Sequence, residues 1–246
     1  MSRVAVVTGG ASGIGLGVAR RLGTDGYKIA VLDLKGSDTA AAELQASGIE
    51  ALGVEVDVAD WASVAAAFDR VRAELGPVEI LVTSAGIESF TPVDEITPEI
   101  WNQLIAVNLT GTFTCAQAAL PDMVAAGWGR IVTISSQSAQ SGAPNMAHYS
   151  ASKGGVIALT KALAVEFARQ GITSNTVSPS LVDTPMARAA EQAGDFPGVD
   201  VVGPMVPLGR AGVPDDIALA VSYLVSDDGG SYITGQLIGV NGGMYM

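Results

Sequence analysis

The start of the chain decides the fold, because residues 4–22 read VAVVTGGASGIGLGVARRL. The apolar and largely β-branched run at 4–8 is typical of a buried strand. A glycine-rich turn follows at 9–15, and a helix of apolar periodicity begins at Gly13. This order places free N–H groups and the positive end of a helix dipole at one edge of a sheet, where they can bind phosphate.

Three glycines of this turn have separate roles in a dinucleotide site. Gly9 permits the tight turn, Gly13 lets a pyrophosphate approach the backbone, and Gly15 lets the helix pack close to the strand. The spacing is G-x-x-x-G-x-G rather than the commoner G-x-G-x-x-G. Alone, such a loop fits a structural turn equally well. Its position between a strand and a helix favours the nucleotide site.

Strand-like and helix-like segments alternate along the rest of the chain, which predicts βαβ units and a parallel sheet. No linker divides the chain, so we expect one α/β domain spanning 1–246. The predicted strands cover 4–8, 28–33, 51–56, 80–83, 130–134, 173–177 and 237–240. The predicted helices cover 13–23, 39–47, 61–75, 99–126, 149–170 and 215–225.

The segment 184–212 is the one stretch without a clear period, and it carries four prolines and several glycines. It is too long for an ordinary loop, and it begins where a strand of the sheet ends. Ligands bind at the carboxyl ends of parallel strands, so we interpret 184–212 as a substrate lid. The alternative is a surface excursion with no catalytic duty.

Composition excludes several classes of protein. The chain has 246 residues, of which 48% are hydrophobic and 15% charged, and a net charge of −12 argues against nucleic-acid binding. One cysteine, Cys115, and one histidine, His148, cannot form an intrachain disulfide or a Cys/His zinc site, so no metal is expected. There is no signal-peptide pattern and no apolar run long enough to span a membrane. We therefore expect a soluble cytoplasmic protein.

An acidic residue ends the second predicted strand, one βαβ unit after the glycine turn. Asp33 can accept hydrogen bonds from both hydroxyls of an adenosine ribose, and it would repel a 2′-phosphate. The glycine loop contains no Arg or Lys to neutralise that phosphate, and Lys35 lies beyond Asp33. The pattern therefore favours NAD(H) over NADP(H). If Asp33 were only a solvated strand end, no preference would follow.

A tyrosine and a lysine stand one helical turn apart in Tyr149-Ser150-Ala151-Ser152-Lys153. A tyrosine with a pKa near 10 is a poor base at neutral pH, and an ammonium beside it stabilises the phenolate. Such a pair is common on helices and is weak evidence alone. Ser136 strengthens it, because this residue lies thirteen positions before Tyr149 at the carboxyl edge of the sheet.

Together these motifs resemble the short-chain dehydrogenase/reductase family, over residues 4–243. The resemblance rests on TGGASGIG at 8–15, VLDL at 31–34, Asp57-Val58, VNLTG at 107–111, ISS at 134–136 and YSASK at 149–153. It implies a Rossmann-like, doubly wound, seven-stranded parallel sheet. It also implies that Tyr149 is the general acid/base, with Ser136 holding the substrate oxygen. Lys153 would bind the nicotinamide ribose and lower the pKa of Tyr149, and Asn108 would hold a relay water.

The resemblance extends to the binding residues and to the assembly. It implies a homotetramer, which would suit the Ala/Gly-rich faces of the helices at 99–126 and 149–170. The implied cofactor contacts are Gly9, Ser12, Gly13, Ile14, Gly15, Asp33, Asp57, Val58, Ala85, Gly86, Tyr149, Lys153, Pro179, Val182 and Thr184. The expected substrate contacts are Ser138, Gln140, Met146, Ser180 and Leu181.

Two positions depart from the family pattern. The Asn-Asn pair before Ala-Gly is replaced by Thr83-Ser84, so side-chain bracing of the central sheet must differ. A glycine after Pro179 is replaced by Ser180, whose side chain would narrow the pocket beside the nicotinamide.

The predicted function is hydride transfer between NAD(H) and a secondary alcohol or ketone. The predicted pocket residues are mostly apolar and include no cationic cluster, which favours an uncharged, moderately hydrophobic substrate. A 3-oxoacyl thioester reductase is the alternative within enzymes; those relatives usually prefer NADP and carry a basic residue in the glycine loop. A non-catalytic NAD-binding protein is the alternative outside enzymes.

Overall fold

Seven parallel strands form the sheet of the computed structural model, which describes residues 2–246. The spatial order is β3-β2-β1-β4-β5-β6-β7, and every neighbouring pair is parallel. The order reverses between β1 and β4, so a crevice opens at the carboxyl ends of those two strands. The strands are β1 (Val4–Thr8), β2 (Lys28–Asp33), β3 (Ala51–Glu55), β4 (Val78–Thr83), β5 (Gly129–Ile134), β6 (Ile172–Pro179) and β7 (Leu237–Val240).

Helices cover both faces of the sheet, and two apolar clusters fill the spaces between them. Strands β1, β5 and β6 are buried along their whole length, as expected for central strands covered on both sides. The α-helices are α1 (Gly13–Thr24), α2 (Ser37–Ala46), α3 (Trp61–Glu74), α4 (Pro98–Ile105), α5 (Gly111–Ala126), α6 (Ser138–Ser141), α7 (Ala147–Phe167), α8 (Pro185–Ala193), α9 (Val199–Val202), α10 (Pro214–Val225) and α11 (Asp227–Gly230).

The Rossmann-like α/β fold is confirmed, and all seven predicted strands are present with ends displaced by at most two residues. The single helix predicted at 99–126 needs a correction. Its middle, Ala106–Thr110, is a wider π-helical turn, in which the N–H of Gly111 bonds to Ala106 O instead of the carbonyl four residues back. That turn contains Asn108, whose carbonyl accepts a further hydrogen bond from Thr112 Oγ1 at 2.8 Å.

The segment 184–212 is not irregular throughout, which also corrects the sequence interpretation. It contains α8, α9 and a short 3₁₀ turn at Gly203–Met205. Thr184 caps α8 by accepting a hydrogen bond from Ala187 N at 3.2 Å, and Pro185 takes the first helical position. Thr184-Pro185 is a helix-start signal. The sequence interpretation missed it because the four prolines of the segment suggested irregular structure throughout.

Within residues 2–246, no three His, Cys, Asp or Glu side chains lie close enough together to hold a metal ion. The only cysteine, Cys115, is buried, and burial raises the pKa of its thiol to about 12. Across the same described residues, the helices are too short or too polar to cross a lipid bilayer.

Candidate active site

A cavity of about 750 Å³ opens at the carboxyl edge of the sheet. It includes the crevice between β1 and β4, and its size is in the range of sites for cofactors and small ligands. All the predicted cofactor residues line it, together with Ser136 and two of the predicted substrate residues, Ser180 and Leu181. The topology therefore brings together residues as far apart in the sequence as Gly9 and Thr184.

Three predicted substrate residues, Ser138, Gln140 and Met146, are not among the residues that line this cavity, so their contact with substrate stays a prediction. Ser138 Oγ is 2.9 Å from the Oγ of Ser136, which does line the cavity. Gln140 Nε2 donates to Ser178 Oγ at 3.1 Å, which turns the amide toward β6. Met146 is 7% exposed and belongs to the core. Each side chain is held by a packing or hydrogen-bond partner that the sequence does not reveal.

The glycine turn presents an uncapped helix end to the cavity. Ser12 is the N-cap residue of α1, but its side chain makes no capping hydrogen bond. A Cβ on Gly15 would lie 2.0 Å from Gly9 O, so only glycine lets α1 begin this close to β1. A Cβ on Gly13 would fill part of the space that separates the turn from Thr184. Free N–H groups beside an open cleft fit the pyrophosphate of a dinucleotide.

Asp33 joins this turn from the end of β2. Its Oδ2 accepts a hydrogen bond from Ala11 N at 3.0 Å, and the carboxylate also lines the cavity. The residue therefore fixes the glycine turn and places its carboxylate on the cavity wall beside that turn. Asp57 lines the cavity beyond it, and its Oδ1 accepts from Ala59 N at 2.9 Å in a local turn.

Ser136, Tyr149 and Lys153 meet on one wall of the cavity. Ser136 follows the end of β5, and the other two residues lie one turn apart near the start of α7. The Lys153 Nζ donates to Ile134 O at 3.0 Å and lies 5.9 Å from the centre of the Tyr149 ring. Lys153 is 5% exposed, so its ammonium is held almost out of water.

Burial governs the ionisation of this pair. It raises the pKa of Tyr149, the negative charge of Glu88 raises it further, and the nearby Ser136 hydroxyl acts in the opposite direction. Burial also lowers the pKa of Lys153 to about 8, although Glu88 partly offsets the shift. Burial and the charge of Glu88 therefore both favour the protonated form of Tyr149. The sequence predicted that Lys153 lowers the pKa of Tyr149. In the structure, burial has the larger effect, and the pKa of Tyr149 is raised.

Lys153 has room because residue 86 is a glycine. A Cβ on Gly86 would lie 3.4 Å from Lys153 Nζ and 3.2 Å from Asn108 Oδ1. Asn108 is fully buried, and its side chain bonds both backbone groups of Ile87 at 2.9 Å. Its second amide hydrogen goes to Ser152 Oγ at 3.1 Å. Asn108 therefore ties the β4 loop to α7, a bracing contact that the sequence does not indicate.

The two departures from the family pattern have local structural outcomes. Within residues 2–246 the buried Thr83 hydroxyl has no hydrogen-bond partner, and Thr8 Oγ1 on the neighbouring strand accepts from Ala85 N at 3.2 Å. Ser180 lines the cavity, but its Oγ donates to Asn241 O at 2.9 Å. That hydroxyl is directed to the C-terminal segment, and it narrows the cavity less than the sequence suggests.

Sequence reasoning missed one ionisable residue of this cavity. Glu88 is half-buried in the lining, and burial raises the pKa of its carboxyl, with a further contribution from Asp195. Lys153 acts in the opposite direction. The available signal was an acidic residue directly after the Ala85-Gly86-Ile87 loop, among otherwise apolar or hydroxyl-bearing neighbours.

Known proteins resemble this chain over nearly its full length. The family described as enoyl-(acyl carrier protein) reductase matches residues 9–245. Acetoacetyl-CoA reductase of Rhizobium meliloti is 42% identical over 245 residues, covering 100% of this chain and 99% of the relative. D-threitol dehydrogenase of Mycolicibacterium smegmatis is 40% identical, covering 98% and 92%. A crystal structure of an actinorhodin polyketide ketoreductase variant with NADPH superimposes with a TM-score of 0.94 at 38% identity, covering 99% and 97%.

The fold, the site and these relatives define an oxidoreductase of the Rossmann-like class that acts on CH–OH or C=O groups. The chain belongs to the short-chain dehydrogenase/reductase family. A nicotinamide dinucleotide is the cofactor typical of this family, and the glycine turn, Asp33 and Lys153 provide a site of the required chemistry.

Proposed function

We propose that this enzyme transfers hydride between NAD(H) and an uncharged secondary alcohol or ketone. The observation that carries the proposal is the convergence of Ser136, Tyr149 and Lys153 on one cavity, whose other end reaches Asp33. The first three residues are suited to proton transfer at a carbinol oxygen, and Asp33 is suited to a ribose diol.

Each of the three residues has a defined part in the proposed chemistry. Hydride chemistry would be supplied by a nicotinamide cofactor when one is bound. Tyr149 exchanges the proton of the substrate oxygen, and its raised pKa keeps that proton available for reduction. Ser136 hydrogen-bonds the same oxygen and positions it. Lys153 binds a ribose hydroxyl and stabilises negative charge on Tyr149 during oxidation. Asn108 holds the loop and the helix that carry these groups, and any relay water would bond its remaining acceptor sites.

The identity of the cofactor rests on Asp33. A carboxylate at this place repels a 2′-phosphate, and no Arg or Lys lies within the glycine turn to compensate. At a separation of about 4 Å and an effective dielectric constant of about 20, two unit charges interact by about 4 kcal/mol. That is sufficient to set a preference for NAD(H).

Asp33→Asn is expected to raise the NADP(H)-to-NAD(H) ratio of kcat/KM roughly 10- to 100-fold. Asparagine removes the charge but keeps an oxygen that can accept from Ala11 N, so the glycine turn is preserved. The measurement is steady-state kinetics with both cofactors. The exposed Asp38→Asn on α2 is the matched control and should leave the ratio unaltered. An unaltered ratio in Asp33→Asn would reject this role for Asp33.

A 3-oxoacyl thioester reductase is the second candidate, and it is favoured by the acetoacetyl-CoA reductase at 42% identity. The two candidates differ in cofactor and in substrate. A panel of secondary alcohols, ketones and 3-oxoacyl thioesters, read with NAD(H) and NADP(H) side by side, decides between them. Higher kcat/KM with NADPH and a thioester than with NADH and any simple ketone would replace our proposal with this candidate.

We also propose that the segment 184–212 is the substrate lid of a single catalytic domain. Arg188 on α8 bonds Asp183 at 2.8 and 2.9 Å and Asp200 at 2.8 and 3.2 Å. Arg188 therefore connects Asp183, directly before the segment, to Asp200 near the end of the segment. Met186 and Phe196, in the same segment, line the cavity.

Arg188→Lys is expected to raise the substrate KM by about tenfold, because one ammonium cannot replace a planar fork that bonds two carboxylates. The free energy of unfolding should change little, since exposed ion pairs contribute little to stability. The readouts are KM and the rate of limited proteolysis within 184–212. An unchanged KM with unchanged proteolysis would show that this connection has no role in binding.

We also propose that the enzyme is a homotetramer and is located in the cytoplasm. The outer face of α7 presents Ala151, Ala158, Ala162 and Val165, all exposed, and Val165 is 85% exposed. Small apolar residues on a long helix allow close packing against a second copy of the same helix.

A further inference from the structure

Glu88 is the one carboxylate of the cavity that lies beside the catalytic residues. It lines the same cavity as Ser136, Tyr149 and Lys153, and it is near enough for its charge to act on the last two. Among residues 2–246, burial and the charges of Asp195 and Lys153 act on the pKa of its carboxyl, and no hydrogen-bond donor is among these influences. A half-buried carboxylate without donors is costly to maintain, because water is only partly available to replace them.

The backbone on either side of Glu88 is fixed. Ile87 bonds the Asn108 side chain through both its N–H and its C=O at 2.9 Å. Ser89 Oγ lies 2.5 Å from His148 Nε2, and His148 is fully buried directly before Tyr149. Glu88 is therefore held between two anchors, one of which belongs to the catalytic helix. The backbone that carries Glu88 is therefore fixed relative to α7, which places the residue on the cavity wall near Tyr149.

We infer that Glu88 is a specificity-determining residue that accepts a hydrogen bond from a hydroxyl on the carbon next to the reacting carbinol. The preferred substrate class is then a vicinal diol, or its oxidised form, an α-hydroxyketone. This inference rests on the proposed function and narrows its substrate. Tyr149 and Ser136 would hold the reacting oxygen, while the neighbouring hydroxyl supplies the donor that Glu88 lacks.

The charges around Glu88 favour a neutral donor. An anionic group next to the reacting carbon would be repelled by Glu88 and, more weakly, by the exposed Asp195. An ammonium group would attract Glu88 but would be repelled by Lys153, which is buried against the same wall. A hydroxyl satisfies the carboxylate without a charge of its own. Substrates that lack it leave Glu88 unpaired in the complex, and sites of that kind discriminate strongly.

The test compares butane-2,3-diol with butan-2-ol, which differ by one hydroxyl beside the reacting carbon. With the enzyme and NAD added, we expect kcat/KM for the diol to exceed that for the mono-alcohol by about 10- to 100-fold. Glu88→Gln should reduce this ratio by about tenfold or more, because the charge-assisted hydrogen bond is lost. Glu95→Gln, at an exposed glutamate of the same connection, is the matched control and should retain the wild-type ratio.

A thermal-shift assay and kinetics with two charged substrate analogues complete the test. Thermal shift of the holoenzyme reports diol binding independently of turnover, and the shift should be lost in Glu88→Gln. If no alcohol is oxidised by either enzyme with NAD or NADP, the proposed function is wrong, and the thermal shift alone decides the role of Glu88. An unaltered diol ratio and an unaltered shift in Glu88→Gln would overturn the inference. Higher kcat/KM for 3-aminobutan-2-ol or 3-hydroxybutyrate than for the diol would also overturn it.

Discussion

Tyr149→Phe is expected to lower kcat about 100- to 10,000-fold, which is the range that proton transfer by a positioned side chain contributes. The hydroxyl is the only part removed, and the Ser136 hydroxyl on the same wall is assigned to positioning the substrate oxygen. Lys153 is not a substitute, because its Nζ already donates to Ile134 O and cannot accept a proton while charged. The measurement is steady-state turnover followed by the absorbance of the reduced nicotinamide.

In Tyr149→Phe, cofactor binding and thermal stability distinguish a loss of catalysis from a loss of folded structure. Cofactor Kd and Tm should stay close to wild type, because phenylalanine fills the same volume and the aromatic ring is kept. Tyr223→Phe is the matched control, since this tyrosine is 55% exposed on α10. Full turnover in Tyr149→Phe would contradict the assignment of Tyr149 as the acid/base. A kcat loss accompanied by a large fall in Tm would place the defect in folding.

The fold could be predicted because its signals are local. Short β-branched runs alternate with amphipathic segments, and a chain with this pattern has few ways to bury all its strands other than a doubly wound parallel sheet. The glycine turn at 9–15 is equally local, since strand, turn and helix are adjacent in the sequence. Parallel topology then places the ends of β1, β2, β5 and β6 at one edge, which is why the lining around Ser136 and Asp33 was predictable.

The remaining features depend on contacts between distant segments. The π-helical turn at Ala106–Thr110 has no sequence period of its own, and Asn108 is recognisable as a brace only once Ile87 lies beside it. The orientation of Gln140 toward Ser178 is fixed by a residue 38 positions away. Glu88 resembles a solvated loop acid in the sequence. Its importance comes from burial and from the nearby charge of Lys153, neither of which is encoded locally.

Lys153→Met is expected to abolish most turnover and at the same time to stabilise the fold. Burial lowers the pKa of Lys153 from 10.5 to about 8, so the native state holds this charge at a cost. A shift of this size corresponds to about 3 kcal/mol at pH values below 8. Losing the hydrogen bond to Ile134 O offsets about 1 kcal/mol of this gain. The free energy of unfolding at pH 7 should therefore rise by about 2 kcal/mol, measured by urea denaturation.

The pH dependence identifies the origin of that gain. Between pH 8 and 10.5 the native Lys153 loses its proton while the unfolded chain retains it, so the wild-type protein gains stability as the pH rises through this window. Methionine has no proton to lose, so the difference between variant and wild type should shrink over the same range. Lys161→Met, at an exposed lysine of the same helix, controls for removal of a charge and should show neither effect. A variant at position 153 that is less stable than wild type at pH 7 would mean that the ammonium is compensated in the native state, with Glu88 as its nearest opposite charge.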